Sequence, residues 1–198
     1  MSFLGKLFDK KNTKAFWHLT LNLNARLMPI DRGDIFEDPI DNALKKSGIG
    51  EVDGGGTLLS ETGEIENCDV EICLYEKSDV NYEKLQSLLA HMGIPKGSFL
   101  ICENEETKQE IGDFEGLALY LNGTDLDSEV YESCDINFVI SELVRILDGE
   151  HKYYSYWEGS KETALYFYGQ SFEKMRELLS SFVEEYPLCQ KCRIVQIA

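Results

Sequence analysis

Positive charge is what this sequence has least of: 19 lysines and arginines stand against 36 aspartates and glutamates, a net charge of −17. The shortage is uneven. Residues 1 to 14 hold Lys6, Lys10, Lys11 and Lys14 against Asp9, a local +3 that leaves −20 on the rest of the chain. A field of that sign repels nucleic acid and anionic membranes and favours basic partners, so no direct nucleic-acid binding is expected.

Long apolar runs are also missing. No segment reaches the roughly 18 apolar residues that cross a bilayer, and the start, MSFLGKLFDKKNTK, lacks the apolar centre and small-residue cleavage site of a secretory signal. The expected compartment is the cytoplasm, where the six cysteines read as thiols, with Cys68, Cys73 and Cys102 in or beside buried strands. Phe3, Leu4, Leu7 and Phe8 fall at helical spacing among the lysines, making residues 1–14 a basic amphipathic tail. One short helix without a lipid gives no stable membrane anchoring.

Signatures of catalysis and metal binding are scarce as well. His18, His91 and His151 fall on separate elements, and neither G-x-S-x-G nor H-E-x-x-H occurs. Cys189 and Cys192 form a C-x-x-C that enters a strand rather than a helix and has no second pair to complete a zinc site. Asp125, Asp127 and Glu129 imitate the start of a calcium loop, but Val130 replaces its glycine and Ile136 its closing glutamate. No catalytic residue, metal or cofactor is expected.

What is present is a repeat. LTLNLN at Leu19 to Asn24 returns as LALYLN at Leu117 to Asn122, and YEKLQSLL at Tyr82 to Leu89 returns as FEKMRELL at Phe172 to Leu179. The first copy reads as a strand over Phe16 to Leu27, a helix opened by Asp38 and Pro39 and closed by Gly48, and a hairpin about Thr62 and Gly63. A helix over Asn81 to Met92 and a strand, SFLICE, complete it. The second gives the same order: strand 117–121, helix 136–147, strands 151–157 and 163–168, helix 172–185, strand 192–197. The predicted fold class is therefore α+β, a tandem duplication of a ferredoxin-like βαββαβ unit with two antiparallel sheets and helices. Residues 15–103 and 114–198 form the repeats and 104–113 a polar linker. Such sheets are expected to pack face to face or edge to edge and leave a groove, with part of the sheet surface wet.

DGGGT, Asp53 to Thr57, follows a helix and opens a strand, the reverse of a phosphate loop, so its glycines point to a bulge or to close approach by another backbone or a ligand. A long connection from Met28 to Asp38 joins the first strand to the first helix and carries charged residues. Arg26, Arg32, Asp34, Asp53, Gly55 and Glu64 are thus candidates to line the groove, the arginines able either to hold an anion or to pair with nearby carboxylates.

A second candidate surface lies in the second copy. Residues 103–150 contain fourteen carboxylates against Lys108 and Arg145, and the strands that follow are rich in aromatics. Asp125, Asp127, Glu129, Tyr153, Tyr156, Trp157 and Tyr168 are the residues expected to meet a basic partner, with aromatics as anchors. Burial of those aromatics between sheet and helices is the alternative.

Leu23 to Leu27 (LNARL), Pro29, Arg32-Gly33, Ile35 to Pro39 (IFEDP), Gly48 to Thr57 (GIGEVDGGGT), Gly63 to Ile65 and Cys68 to Ile72 make a pattern over the first half that resembles a group of small acidic bacterial proteins of unassigned activity. Some acidic α/β proteins of this size are immunity proteins that cap a basic toxin domain. The resemblance implies a non-enzymatic cytosolic binding protein with a basic protein partner. The competing expectation is a small-molecule binder or enzyme with its site in the groove between repeats.

Overall fold

The computed structural model describes residues 16–102, 105–147, 149 and 151–198. The basic stretch 1–14 lies outside them. The first unit runs β1 (Trp17–Leu23), α1 (Pro29–Arg32), a π-helical turn (Gly33–Glu37), α2 (Asp38–Ser47), β2 (Gly50–Leu59), β3 (Ile65–Leu74), α3 (Asp79–Leu89), β4 (Ser98–Cys102) and β5 (Thr107–Ile111). The second runs β6 (Glu115–Asn122), α4 (Ser128–Ser133), α5 (Ile136–Ile146), β7 (Lys152–Glu158), β8 (Glu162–Gly169), α6 (Phe172–Glu185), a 3-10 turn (Pro187–Cys189) and β9 (Arg193–Gln196). Strand orders are β2-β3-β1-β4-β5 and β7-β8-β6-β9, with all ladder pairings antiparallel. Each sheet thus holds the ferredoxin-like order, and the fold is the duplicated α+β unit that the repeat predicts. No described helix is long and apolar enough to cross a membrane.

Side-chain alternation sets the layers. On β1, Leu19, Leu21 and Leu23 are buried beneath the helices and pack with Ile40, Leu44, Leu85 and Leu89. Leu117, Leu119 and Leu121 repeat this on β6, against Val139, Leu143, Met175 and Leu179 of α5 and α6. Ser78, Asp135 and Ser171 cap α3, α5 and α6 by accepting bonds from backbone N–H groups, and Gly48 ends α2 in the left-handed region at φ 66°.

Several expectations need correction. Met28 to Asp38 is not a loop: Pro29 opens a helix that continues through the π turn into α2. Asp38 is already helical at φ −62°, ψ −45°, and its N–H donates to Gly33 O, five residues back, rather than capping a new start. The wider turn accommodates Pro39, which lacks an N–H and would crowd a carbonyl in a regular helix. Residues 107–111 of the expected linker are β5, paired along β4 from Ser98↔Ile111 to Cys102↔Thr107. β1 leaves the sheet at Leu23, although Ala25 and Leu27 beyond it stay buried. The short helix α4 gave no apolar periodicity to find.

The sheets meet neither face to face nor edge to edge. The face of the second sheet that looks away from its helices carries Ala118, Tyr120, Ala164, Tyr166 and Tyr168, and it is buried in one core with Ala25, Leu27, Phe36 and Cys68 of the first unit. Tyr154 stacks on Tyr168 at 4.7 Å and meets Phe36 edge-on at 5.9 Å. This explains why β6 and β8 are buried on both faces while β1 alternates. All six cysteines are free, four of them buried.

Tyr168 is buried to 0% exposure and donates its hydroxyl hydrogen bond to no carboxylate; instead it accepts from Arg26 N–H at 2.9 Å. Tyr168→Phe should therefore lower unfolding free energy by about 1–3 kcal/mol, since a half-buried backbone N–H loses its acceptor. Urea denaturation at neutral pH measures this, and an unchanged midpoint contradicts it.

Candidate functional site

The polar residues singled out in the first unit converge, but on the seam between the units. Glu64, in the β2–β3 turn, accepts hydrogen bonds from the Tyr120 hydroxyl at 2.5 Å and the Tyr166 hydroxyl at 2.7 Å, both from the second sheet. Its Oε1 lies 3.9 Å from Arg26 Nε. Arg26 also donates through Nη1 to the carbonyls of Ile65 and Glu66, while its own carbonyl accepts from Ser155 Oγ of β7. A carboxylate that receives two phenolic donors makes charge-assisted bonds, stronger than neutral ones, and here they join residues 56 and 102 positions apart.

Arg32 is 7% exposed and enclosed by its own unit. Its Nε meets Glu37 Oε1 at 2.5 Å, and Nη1 donates to Gly56 O at 2.8 Å and Thr57 Oγ1 at 2.6 Å. The side chain thereby ties the π turn to β2. Gly55 faces this pair: a Cβ there would lie 2.5 Å from Asp69 O, 2.5 Å from Glu37 Oε1 and 3.0 Å from Arg32 Nε. Gly55 is the place of close approach that the glycine run suggests, and its neighbour is this unit's own backbone. A bulge falls between Val52 and Gly54. Asp34 and Asp53 are exposed and outside these contacts.

The second candidate surface divides. Asp125, Asp127 and Glu129 are exposed about the start of α4, where the Asp125 carbonyl accepts from Lys191 Nζ. Tyr156 is half exposed. Tyr153 and Trp157 are half-buried, the first against Phe167 and the second against the shared core. Tyr168 belongs to the seam, so it is a packing residue and not a partner anchor. The aromatics are numerous because this sheet is covered on both sides. Sequence reasoning missed Tyr120 and Tyr166 as partners of Glu64; the only sign was two hydroxyl-bearing rings on strands otherwise apolar enough for full burial.

The Cys189–Cys192 pair sits at the 3-10 turn, and burial pushes the Cys189 thiol up to about 12 and raises Cys192, the reverse of an activated thiolate. A cavity of about 370 Å³ opens elsewhere, between α3 and β5, lined by Leu89, Ile94, Leu100 and Ile111 with Gln86 and Gln109 bonded across its rim at 2.9 Å. It exists because β5 extends the sheet past the helix layer.

No protein-family model matches the chain, and no curated protein does. Among solved structures it is similar to a mutant chlorite dismutase from Candidatus Nitrospira defluvii, at 10% identity and a TM-score of 0.30 over 91% of this chain and 90% of that one. It is also similar to the first two RRM domains of the yeast poly(U) binding protein, at 10% identity and a TM-score of 0.25 over 91% and 99%. Likenesses this distant assign the chain no activity.

Burial, with the Glu64 carboxylate second, pushes Tyr120 up to about 12 and raises Tyr166 for the same reasons. The fold therefore favours the neutral phenols over their ordinary value near 10. The stability this contributes is full below about pH 10 and is lost as pH rises through about 12. Urea midpoints should fall steeply from about pH 10 upward, and the double variant Tyr120→Phe, Tyr166→Phe should flatten that fall; equal slopes in both chains would contradict the assignment. At neutral pH, Glu64→Ala should cost about 2–4 kcal/mol by leaving two phenols without their acceptor and Arg26 without its ion-pair partner.

Proposed function

We propose that this chain is a non-enzymatic binding protein whose partner is a basic protein, in its sharpest form an immunity-type protein that caps a basic toxin domain. The observation that carries this reading is an uncompensated surface charge. Many of the few cations are already spent inside the molecule: Arg26 and Arg32 in internal contacts, Lys45, Arg145, Lys174 and Arg176 on carboxylates three or four residues away along their own helices, and Arg193 on Glu162. The carboxylates outnumber the cations by 36 to 19, so the outer surface presents a negative field that a basic partner would neutralise. Steering of this kind raises the association rate and weakens with salt. The cytoplasm is the compartment this reading assumes.

The groove reading draws less support. Arg32 is held by Glu37, Thr57 and backbone, Gly55 is closed in by the same groups, and Glu64 accepts from two phenols; Arg26 Nη1 is taken by backbone carbonyls, and its Nε, without a hydrogen-bond partner among the described residues, lies 3.9 Å from Glu64 Oε1.

Capture with the tagged chain from the cells that make it, at low salt and at about 0.5 M salt, followed by mass spectrometry, tests the proposal. A stoichiometric basic protein whose recovery falls with salt is the expected outcome. Recovery of no basic protein, or of one indifferent to salt, would count against it.

A further inference from the structure

The two copies of the fold differ most on one face. Register aligns them residue by residue: Thr20 and Asn22 of β1 correspond to Ala118 and Tyr120 of β6, and their cross-strand partners Glu71 and Asp69 correspond to Tyr166 and Ala164. On the second sheet this face is apolar and aromatic and is covered by the first unit. On the first sheet, among the described residues, Gly54 and Glu71 of the same face are exposed and Thr20, Asn22, Gly56 and Asp69 are half-buried.

This face is not built as the covered one is. Asp69 accepts from Asn22 at 2.7 Å and Glu71 from Thr20 at 3.0 Å, so the bonds they make come from neutral side chains and leave both negative charges in place. Beside them on β2, Gly56 lies opposite Asp69 and Gly54 opposite Glu71. In the second copy the position of Gly56 is held by Trp157, which reaches the shared core. A Cβ at Gly56 would meet nothing within 4 Å, and its φ is not in the left-handed region, so neither space nor backbone geometry inside the molecule requires glycine there. Glycine within a strand is destabilising relative to alanine, and a strand glycine with open space above it suits close approach by another backbone or a ligand.

We propose that this face of the first sheet, with Asp69 and Glu71 beside the bare backbone of Gly54 and Gly56, is the docking surface for a basic protein partner. The inference rests on the function proposed above and gives that function its place. A lysine- or arginine-bearing segment sets its cations on the two carboxylates and its backbone against β2, where no side chain holds it off. A second copy of this chain is the wrong occupant, because it would bring Asp69 and Glu71 against their own kind.

The test uses the full chain and a ten-residue lysine peptide as probe, titrated at low salt with backbone amide resonances as readout. The peptide should perturb Thr20, Gly56, Asp69 and Glu71. Asp69→Asn with Glu71→Gln keeps both acceptors and should weaken affinity about fivefold or more, whereas Asp127→Asn with Glu129→Gln, which changes net charge equally, should weaken it less than about twofold. Gly56→Val should weaken binding as well without lowering the melting temperature, a combination that a merely structural glycine would not give. Equal effects of the two charge variants, or perturbations centred on α4, would overturn the placement and leave the proposed function standing. No binding by any form at low salt would count against both. Binding to this face that emerges only when residues 1–15 are deleted would mean that the chain's own basic segment occupies it, and concentration-dependent self-association through it would mean a second copy does; either result overturns an external partner here.

Discussion

The arrangement of the whole molecule depends on a carboxylate placed where two sheets meet. Glu64 sits in a turn of the first unit and receives the hydroxyls of Tyr120 and Tyr166 from the second, with Arg26 beside it. A half-buried carboxylate is better tolerated when it is hydrogen-bonded, and both phenols donate to its Oε1. The rings then bury the rest of the seam: Tyr154 and Tyr168 stack behind them against Phe36. Apolar area supplies the stabilisation, and the carboxylate with its donors fixes the relative placement, because a shifted sheet would strand Glu64 without partners.

Duplication made this possible and also made the copies unequal. A ferredoxin-like unit has one sheet face under its helices and one bare. In the second copy alanine and tyrosine made the bare face fit for burial, and the first unit covers it. In the first copy the same positions hold Thr20, Asn22, Asp69 and Glu71, groups suited to water or to positive charge. The second sheet thus finds its cover in the first unit, while the matching face of the first sheet carries Asp69 half-buried and Glu71 exposed.

Much of the fold was legible in the sequence because it rests on periodicity that burial enforces. Leu19, Leu21 and Leu23 alternate since one side of β1 lies under helices, and the same spacing at Leu117, Leu119 and Leu121 reveals the duplication. Pro39 misled: proline near a helix start ordinarily marks the first turn, yet here a π turn lets the helix run through it from Pro29. β5 was hidden because an edge strand with both faces largely wet carries no apolar alternation. Of the residues expected to line a groove, Arg32 pairs with the nearby Glu37, whereas the donors to Glu64 come from 56 and 102 positions away, and pairings at that distance leave no local trace. The aromatic run after residue 150 was legible as unusual; that it lines a seam follows only once the second sheet is seen to be covered on both faces.

Glu64 and the tyrosine face make the two repeats one cooperative body. Differential scanning calorimetry of the full chain tests it directly, through the ratio of the calorimetric to the van't Hoff enthalpy of unfolding. A single transition with a ratio of about one is the expected result. Two resolved transitions, one for each repeat, would show that the seam does not couple them and would contradict it.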